Sequence, residues 1–138
     1  MIDFMYLDPK IGKVKAIIGK FHEYFSMSLY YTTKVEVKID MQKYVENMID
    51  EFTINIEKYQ AETSPETKKL FKADRINLLK KNQAGLFHTT VARGLLLCKK
   101  SRPCIQTTIA VLCTRVKPPN QGYLNKLLRL MKYLVGIQ

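Results

Sequence analysis

Apolar residues recur with two periods along this chain, every second position near the N-terminus and every third or fourth position further on. Between residues 13 and 40, two stretches alternate apolar with mostly charged positions: Val14, Ala16 and Ile18, and then Val35, Val37 and Ile39. A period of two is typical of half-buried strands. The aromatic stretch between them ends at Thr32-Thr33, which favours a turn. We therefore expect a small antiparallel sheet.

A helical period begins directly after this sheet. One face of a helix of about three turns is predicted by apolar residues at Met41, Tyr44, Val45, Met48, Ile49 and Phe52. Asp40 stands just before them and has the side chain of a helix N-cap. The predicted helix therefore begins at residue 41.

Residues 53–80, the connector, show only weak patterning and are expected to be ordered but irregular. Ser64-Pro65-Glu66 favours a short turn. Leu70 and Phe71 are expected to anchor this segment in the core.

Three further helices are predicted in residues 81–138. The first runs from Lys81 to Lys100 and is expected to bury Leu86, Phe87, Val91, Leu95 and Leu96. The second begins at Pro103, whose fixed φ suits a first helical turn, runs to Val116 and buries Ile105, Ile109, Leu112 and Val116. The third runs from Gln121 to Val135 after an Asn120 cap and buries Leu124, Leu127, Leu128, Met131 and Leu134.

These elements predict an α+β fold that is mainly α, with a small antiparallel sheet followed by a bundle of three to four helices. A chain of 138 residues has room for one domain with a modest core. We expect residues 1–40, 41–80 and 81–138 to be three segments of one compact unit. No apolar run is long enough to span a membrane, and the N-terminus lacks a basic signal-peptide region, so an intracellular location is expected.

The charge of +11 is very unevenly placed. All twelve Asp and Glu residues precede residue 75, whereas twelve of the 23 Lys and Arg residues lie within residues 75–138. A segment that is basic throughout attracts polyanions, of which nucleic acid is the commonest inside cells. Two alternatives remain: a solvated basic face without a partner, and a cationic last helix lying on an anionic membrane. The leucines of that helix are more simply explained as core, so no membrane partner is expected.

The basic residues form the only set with a coherent functional interpretation. Those of the elbow, residues 99–103, and those after the second helix would neutralise phosphates without reading bases. A further three share one flank of the last helix. The candidate nucleic-acid-binding residues are Lys99, Lys100 and Arg102 of the elbow, together with Arg93, Arg115, Lys117, Lys126, Arg129 and Lys132.

Other chemistries have little support in the sequence. His88 and the three cysteines, Cys98, Cys104 and Cys113, lack the spacing of a zinc site, and buried helix thiols explain the cysteines better. No third group would orient a Cys–His nucleophile. His88 could touch a phosphate if it faces the elbow. We therefore predict no metal site, no catalytic residue and no cofactor in this chain.

Four segments resemble, in order and spacing, the C-terminal part of copia-type retrotransposon reverse transcriptases. They are Phe87–Leu95, Lys99–Pro103, Val111–Val116 and Asn125–Leu134. Weaker similarity extends back to about residue 12. The resemblance implies that the helical part corresponds to the thumb, which clamps a primer–template duplex of RNA–DNA or DNA.

The same resemblance implies a primer-grip-like hairpin at Tyr24, Phe25, Ser26 and Met27. The family usually has Leu-Gly-Met where this chain has Phe25-Ser26-Met27, and Arg-Pro-Asp-Ile where it has Arg102-Pro103-Cys104-Ile105. The family's magnesium-binding polymerase aspartates would lie before residue 1. The expected function is therefore that of a truncated, catalytically inactive polymerase fragment that retains duplex binding.

Two other functions are weighed beside it. The chain could be a structural remnant or protein-interaction module that has no nucleic-acid function. It could also be part of an active polymerase whose aspartates come from a separate chain. A thumb without its palm is also expected to expose an apolar surface through which the protein self-associates.

Overall fold

Three antiparallel strands and four α-helices make up the part of the chain that the computed structural model describes, residues 18–33, 35–54, 62–72 and 77–137. This confirms the predicted α+β, mainly α fold. The chain divides into two compact units, Met1–Asp40 and Met41–Gln138, each of which is described by itself. The strand predicted around Val14 and Ala16 lies outside the described residues. Ile18, which ends that pattern, is fully solvent-exposed and outside any strand.

The sheet is an antiparallel meander of β1 (Phe21–Tyr24), β2 (Met27–Tyr31) and β3 (Val37–Asp40). Leu29 lies opposite both His22 and Ile39. Because successive side chains alternate between faces, this register gives the sheet one mainly apolar face. That face carries His22, Tyr24, Met27, Leu29, Tyr31, Val37 and Ile39.

The predicted burial of the third strand is wrong. Val35 is 91% exposed and precedes the strand, while Val37 and Ile39 are more than two-fifths exposed. Alternation correctly identified which residues share a face, but among the described residues Val37 and Ile39 of that face stay largely exposed. The Phe21–Tyr30 ring pair, with centroids 5.0 Å apart, packs across the strands on the opposite face.

Helix α1 (Gln42–Asp50) begins without the Asp40 cap predicted for it. Asp40 is the last residue of β3 and pairs with Ser28, so its backbone belongs to the sheet. Met41 occupies the N-cap position and makes no side-chain cap. The predicted helical spacing is confirmed, because its core positions are buried: Met41, Val45, Met48 and Phe52.

Helix α2 (Lys81–Lys100) has the predicted bounds but buries a different face. Phe87 and Val91 are buried as expected, whereas Leu95 is 38% exposed and Leu86 and Leu96 are half-buried. The buried face continues instead through Thr90, Gly94, Leu97 and Cys98. A prediction based on large apolar residues missed this face because a threonine and a glycine form its centre.

Gly94 is the point at which α2 meets its neighbours. A Cβ atom added there would overlap the Ile109 Cδ1 atom, lie 3.2 Å from its Cγ1 atom and approach Met48 Cε at 3.9 Å. The missing side chain therefore allows α1 and the helix after the elbow to pack closely on α2.

The second predicted helix is shorter and has two parts. Pro103–Ile105 forms a 3₁₀ turn with proline in its first turn, as predicted, and α3 (Gln106–Cys113) follows. Ile109 and Leu112 are fully buried, as is Ile105, whereas Val116 lies beyond the helix and is only half-buried.

Helix α4 (Gln121–Gly136) begins at the predicted Asn120 cap, whose Oδ1 atom accepts the Tyr123 N–H at 3.1 Å. Its buried face confirms Leu124, Leu127, Met131 and Leu134. Leu128 is only half-buried, while Tyr123 and Leu130, which were not predicted, are buried.

The described part of the connector lies against α3 and α4. Glu66 accepts a hydrogen bond from the Thr108 hydroxyl at 3.1 Å, and Glu62 pairs with Arg129. Leu70 is buried as predicted, but Phe71 is 76% exposed, so its predicted role as an anchor is wrong. Successive residues of a turn face different ways, and only Leu70 points inward.

Substitution of Gly94 by alanine tests the α2 crossing. The added methyl group must displace Ile109, so we expect the free energy of unfolding to fall by about 1–3 kcal/mol. Gly85 is the matched control, because it lies on the same helix with open space around its Cα. There, alanine should raise the unfolding free energy by about 0.5–1 kcal/mol. Equal effects of Gly94→Ala and Gly85→Ala in urea denaturation would contradict the proposed packing.

Candidate nucleic-acid interface

The elbow is a tight helix end that presents cations to solvent. The N–H groups of Ser101 and Arg102 both donate to the Leu97 carbonyl at 3.0 Å, which closes the last turn of α2. Lys99 and Lys100 are exposed and Arg102 is half-buried. Cations at a helix C-terminus also interact favourably with its partial negative charge, so these residues have a structural role whether or not a ligand binds.

Helix α4 approaches the elbow through Tyr133. The Cys104 thiol and the Tyr133 hydroxyl share a hydrogen bond, which is the main cause of the raised pKa of Tyr133; loss of solvent adds to it. The nearby Arg102 guanidinium acts in the opposite direction. Tyr133 therefore lies beside the start of the 3₁₀ turn and close to one cation of the elbow.

The end of α3 approaches the elbow through its cysteine. Burial raises the pKa of Cys113, and Lys99 acts to lower it. Burial is also the main cause of the raised pKa of Cys98; the adjacent Cys113 raises it further, and Lys99 opposes both effects. Lys99 thus lies near the C-terminal end of α3, after which Arg115 and Lys117 follow.

The cysteines only partly match their predicted burial. Cys98 is buried and Cys113 half-buried, but Cys104 is exposed. Raised pKa values keep the thiols of Cys98 and Cys113 protonated at neutral pH, which disfavours them as nucleophiles. Within the described residues, no three His, Cys, Asp or Glu side chains are grouped as a metal ion would require.

Arg93 is already engaged within the helical unit. Its guanidinium lies 2.6 Å from the Glu51 carboxylate at the end of α1, and its carbonyl accepts the Tyr44 hydroxyl at 3.3 Å. Both contacts join α1 to α2. Of the predicted phosphate-binding residues, Arg93 is therefore one that has an intramolecular carboxylate.

The connector also covers part of the basic ridge predicted on α4. Arg129 is 2.9 Å from Glu62, and the Lys126 ammonium donates to the Lys72 carbonyl at 2.8 Å. Lys132 is half-buried like these two residues. One acid of the connector, Glu62, and one of its backbone carbonyls, that of Lys72, therefore contact this flank of α4.

Arg129 lies one helical turn before Tyr133. It precedes Tyr133 by four residues on α4, and residues at this spacing are neighbours on one helix face. Tyr133 interacts with Cys104, directly after the elbow, and lies near the Arg102 guanidinium. The Arg129 Nε atom is buried and has no hydrogen-bond partner.

Arg115 and Lys117 belong to two separate hollows. The exposed Arg115 guanidinium lies 5.6 Å from the centroid of the Tyr123 ring, and Lys126 lies 4.7 Å from the same ring. Lys117 instead lines an apolar hollow of about 530 Å³ with His88 and the following prolines. His88 thus lies beside Lys117 and not at the elbow.

Sequence reasoning missed an aromatic cleft of about 330 Å³, lined by Leu70, Phe71, Ala110, Val111, Thr114, Arg115 and Tyr123. Phe71 had been assigned to the core and Tyr123 had been given no role. An aromatic residue followed directly by Lys72 in the weakly patterned connector was the available signal.

The primer-grip-like residues form the turn between β1 and β2. Phe25 and Ser26 both have positive φ, 46° and 62°, the combination required by a type I′ turn. Tyr24 and Phe25 are exposed, with ring centroids 4.2 Å apart, whereas Met27 is buried. Ser26 stands where the resemblance predicts glycine, which adopts this conformation at no steric cost.

No family model, curated protein or solved structure matches this chain.

None of the helices among the described residues combines the length and apolar character needed to cross a lipid bilayer.

Replacing Ser26 with glycine should stabilise the hairpin. Relief of the positive φ gains about 1–2 kcal/mol, and the greater freedom of glycine in the unfolded chain offsets about 0.5–1 kcal/mol of this. We expect slower hydrogen exchange at the Tyr31 amide, which donates to the Lys20 carbonyl at 2.8 Å. Ser28→Gly, in β2, should speed that exchange. Faster exchange in Ser26→Gly would contradict the assigned turn.

Proposed function

We propose that this chain is part of a copia-type reverse transcriptase and that its helical unit binds the phosphate backbones of a nucleic-acid duplex through the elbow. The observation that carries the proposal is that the elbow cations Lys99, Lys100 and Arg102 are not neutralised by acids in the described part of the chain. Among the described residues, no carboxylate pairs with any of these three side chains. The motif resemblance supplies the family and the expected duplex ligand.

The electrostatics of the elbow support a phosphate ligand. A helix C-terminus carries only about half a negative charge, so three cations in four residues leave a strong positive field. The two amide hydrogen bonds to the Leu97 carbonyl at the end of α2 hold the elbow backbone in place. Such a surface contacts backbones without distinguishing sequences.

Polymerisation is not part of the proposed activity. Two-metal phosphoryl transfer needs closely placed carboxylates, and these 138 residues contain no adjacent aspartate pair. We therefore expect the chain alone to bind a duplex without extending a primer.

A second candidate function, association with protein, is favoured by the apolar face of the sheet. Tyr24, Tyr31, Val37 and Ile39 are each more than two-fifths exposed on that face. Exposed apolar surface of this kind is typical of interaction sites. Concentration-dependent self-association that does not change with salt would support this function.

Removal of the three elbow charges should weaken duplex binding and its dependence on salt. For Lys99→Ala/Lys100→Ala/Arg102→Ala, we expect the log–log slope of affinity against salt to shrink by roughly two to three, because each phosphate contact contributes about 0.9. The measurement is fluorescence anisotropy of a labelled, blunt RNA–DNA hybrid at several salt concentrations.

The matched control removes three exposed lysines elsewhere in the helical unit. Lys43→Ala/Lys68→Ala/Lys69→Ala makes the same change in net charge at exposed positions. Equal loss of slope in both variants would show that only net charge matters. Absence of binding by the folded wild-type protein at low salt would overturn the proposal.

Neutralising Glu62 should have the opposite effect and strengthen binding. Glu62→Gln removes a carboxylate that repels phosphate and releases Arg129 of α4 from its ion pair. Because partly exposed pairs of this kind contribute at most about 1 kcal/mol, we expect affinity to rise by about two- to five-fold.

Glu46→Gln is the control, since Glu46 is an exposed residue of α1 that accepts a hydrogen bond from Gln42. It makes the same charge change without releasing a cation. If Glu62→Gln and Glu46→Gln raise the affinity equally in the anisotropy titration, Arg129 has no part in the interface.

A further inference from the structure

The aromatic cleft presents an exposed ring on a backbone that is held on both sides. Leu70, directly before Phe71, is 3% exposed and lies in the core, while the Phe71 ring is 76% exposed. Directly after it, the Lys72 carbonyl accepts the Lys126 ammonium at 2.8 Å. Amide hydrogen bonds from Leu70 and Lys72 close the turn. Phe71 therefore has a fixed backbone, and packing does not explain its position.

One cation, Arg115, lines the same cleft. Tyr123 is buried and its ring attracts Arg115 at 5.6 Å and Lys126 at 4.7 Å. A cation–π contact holds a guanidinium in place while its N–H groups stay available to an acceptor. No acid among the described residues pairs with Arg115. The cleft thus combines a π-face with a positioned cation.

We propose that the aromatic cleft binds one nucleotide of a single-stranded nucleic acid, with its base stacked on Phe71 and its phosphate at Arg115. The inference rests on the proposed function in taking nucleic acid as the ligand, and it adds a site for an unpaired segment beside the duplex. A base supplies a flat apolar face and the backbone supplies the anion, which is the pairing of groups that the cleft offers. Stacking of this kind tolerates any base.

The volume and the sequence position of the cleft agree with this ligand. About 330 Å³ is at the small end of ligand sites and suits one nucleotide better than a folded element. Arg115 directly follows Thr114, two residues after the end of α3, whose C-terminal end also approaches Lys99. One strand could therefore leave the elbow and enter the cleft.

The test compares a blunt DNA duplex with the same duplex carrying a single-stranded overhang of about six nucleotides. 2-Aminopurine is placed in turn at each overhang position, and binding is followed by anisotropy and by quenching of the 2-aminopurine fluorescence. We expect the overhang to raise affinity and one position to be quenched. Phe71→Ala should then lose about 5- to 150-fold in affinity for the overhang and abolish the quenching, with blunt-duplex affinity unchanged.

Two further variants separate stacking from general effects. Arg115→Gln should reduce the salt slope for the overhang duplex by about one while leaving some quenching. Leu78→Ala removes another exposed apolar side chain, 68% exposed and outside the cleft, and should change neither duplex. Circular dichroism of each variant reports folding, and Phe71, being exposed, contributes little to it.

The outcomes distinguish the cleft from the elbow. Equal binding of blunt and overhang duplexes, or an unquenched overhang, overturns the cleft proposal and leaves duplex binding standing. Quenched single strands with no affinity for blunt duplex overturn the elbow proposal and retain the cleft. If a free nucleoside monophosphate competes with an affinity equal to that of the overhang, the cleft binds free nucleotides, and the proposal that it binds a single strand is overturned. If Leu78→Ala also loses the overhang affinity and the quenching, the cleft proposal is overturned.

Discussion

The helical unit depends on a crossing that only glycine allows. At Gly94, helix α2 comes so close to α3 that Ile109 occupies the space of a side chain, and Met48 of α1 reaches the same point. Three helices therefore meet at one residue. Their close approach brings the end of α3 beside Lys99 and aligns Glu51 with Arg93. The elbow and its neighbours owe their placement to this contact more than to any ion pair.

The packing of the helical unit also determines which cations are paired with acids. Residues 75–138 contain no acid, yet not all of their cations face solvent alone, because Glu51 and Glu62 from earlier in the sequence lie against Arg93 and Arg129. Among the described residues, the elbow cations and Arg115 have no carboxylate partner. The folded protein therefore has fewer cations available to bind a ligand than the linear sequence indicates.

Periodicity predicted the elements well where large apolar residues carried the pattern. The bounds of α2, the Asn120 cap and the core of α4 all follow from local rules. The buried face of α2 was mispredicted because Gly94 and Thr90 lie in the core, whereas the prediction considered only large apolar side chains. Asp40 failed as a cap because strand pairing, a nonlocal interaction, took its backbone. The elbow cations were predicted from sequence, whereas the covered ridge on α4 required knowledge of where the connector lies.

The exposure of Phe71 has an energetic consequence for the whole unit. Burial of a phenylalanine side chain contributes roughly 1.5–3 kcal/mol, and at 76% exposure most of that contribution is absent from the folded state. Stacking one base returns about 1–3 kcal/mol, a free energy of the same size. The burial free energy missing at Phe71 is thus comparable with the stacking free energy that a bound nucleotide would supply. Occupancy of the cleft and stability of the turn around Leu70 are therefore thermodynamically linked.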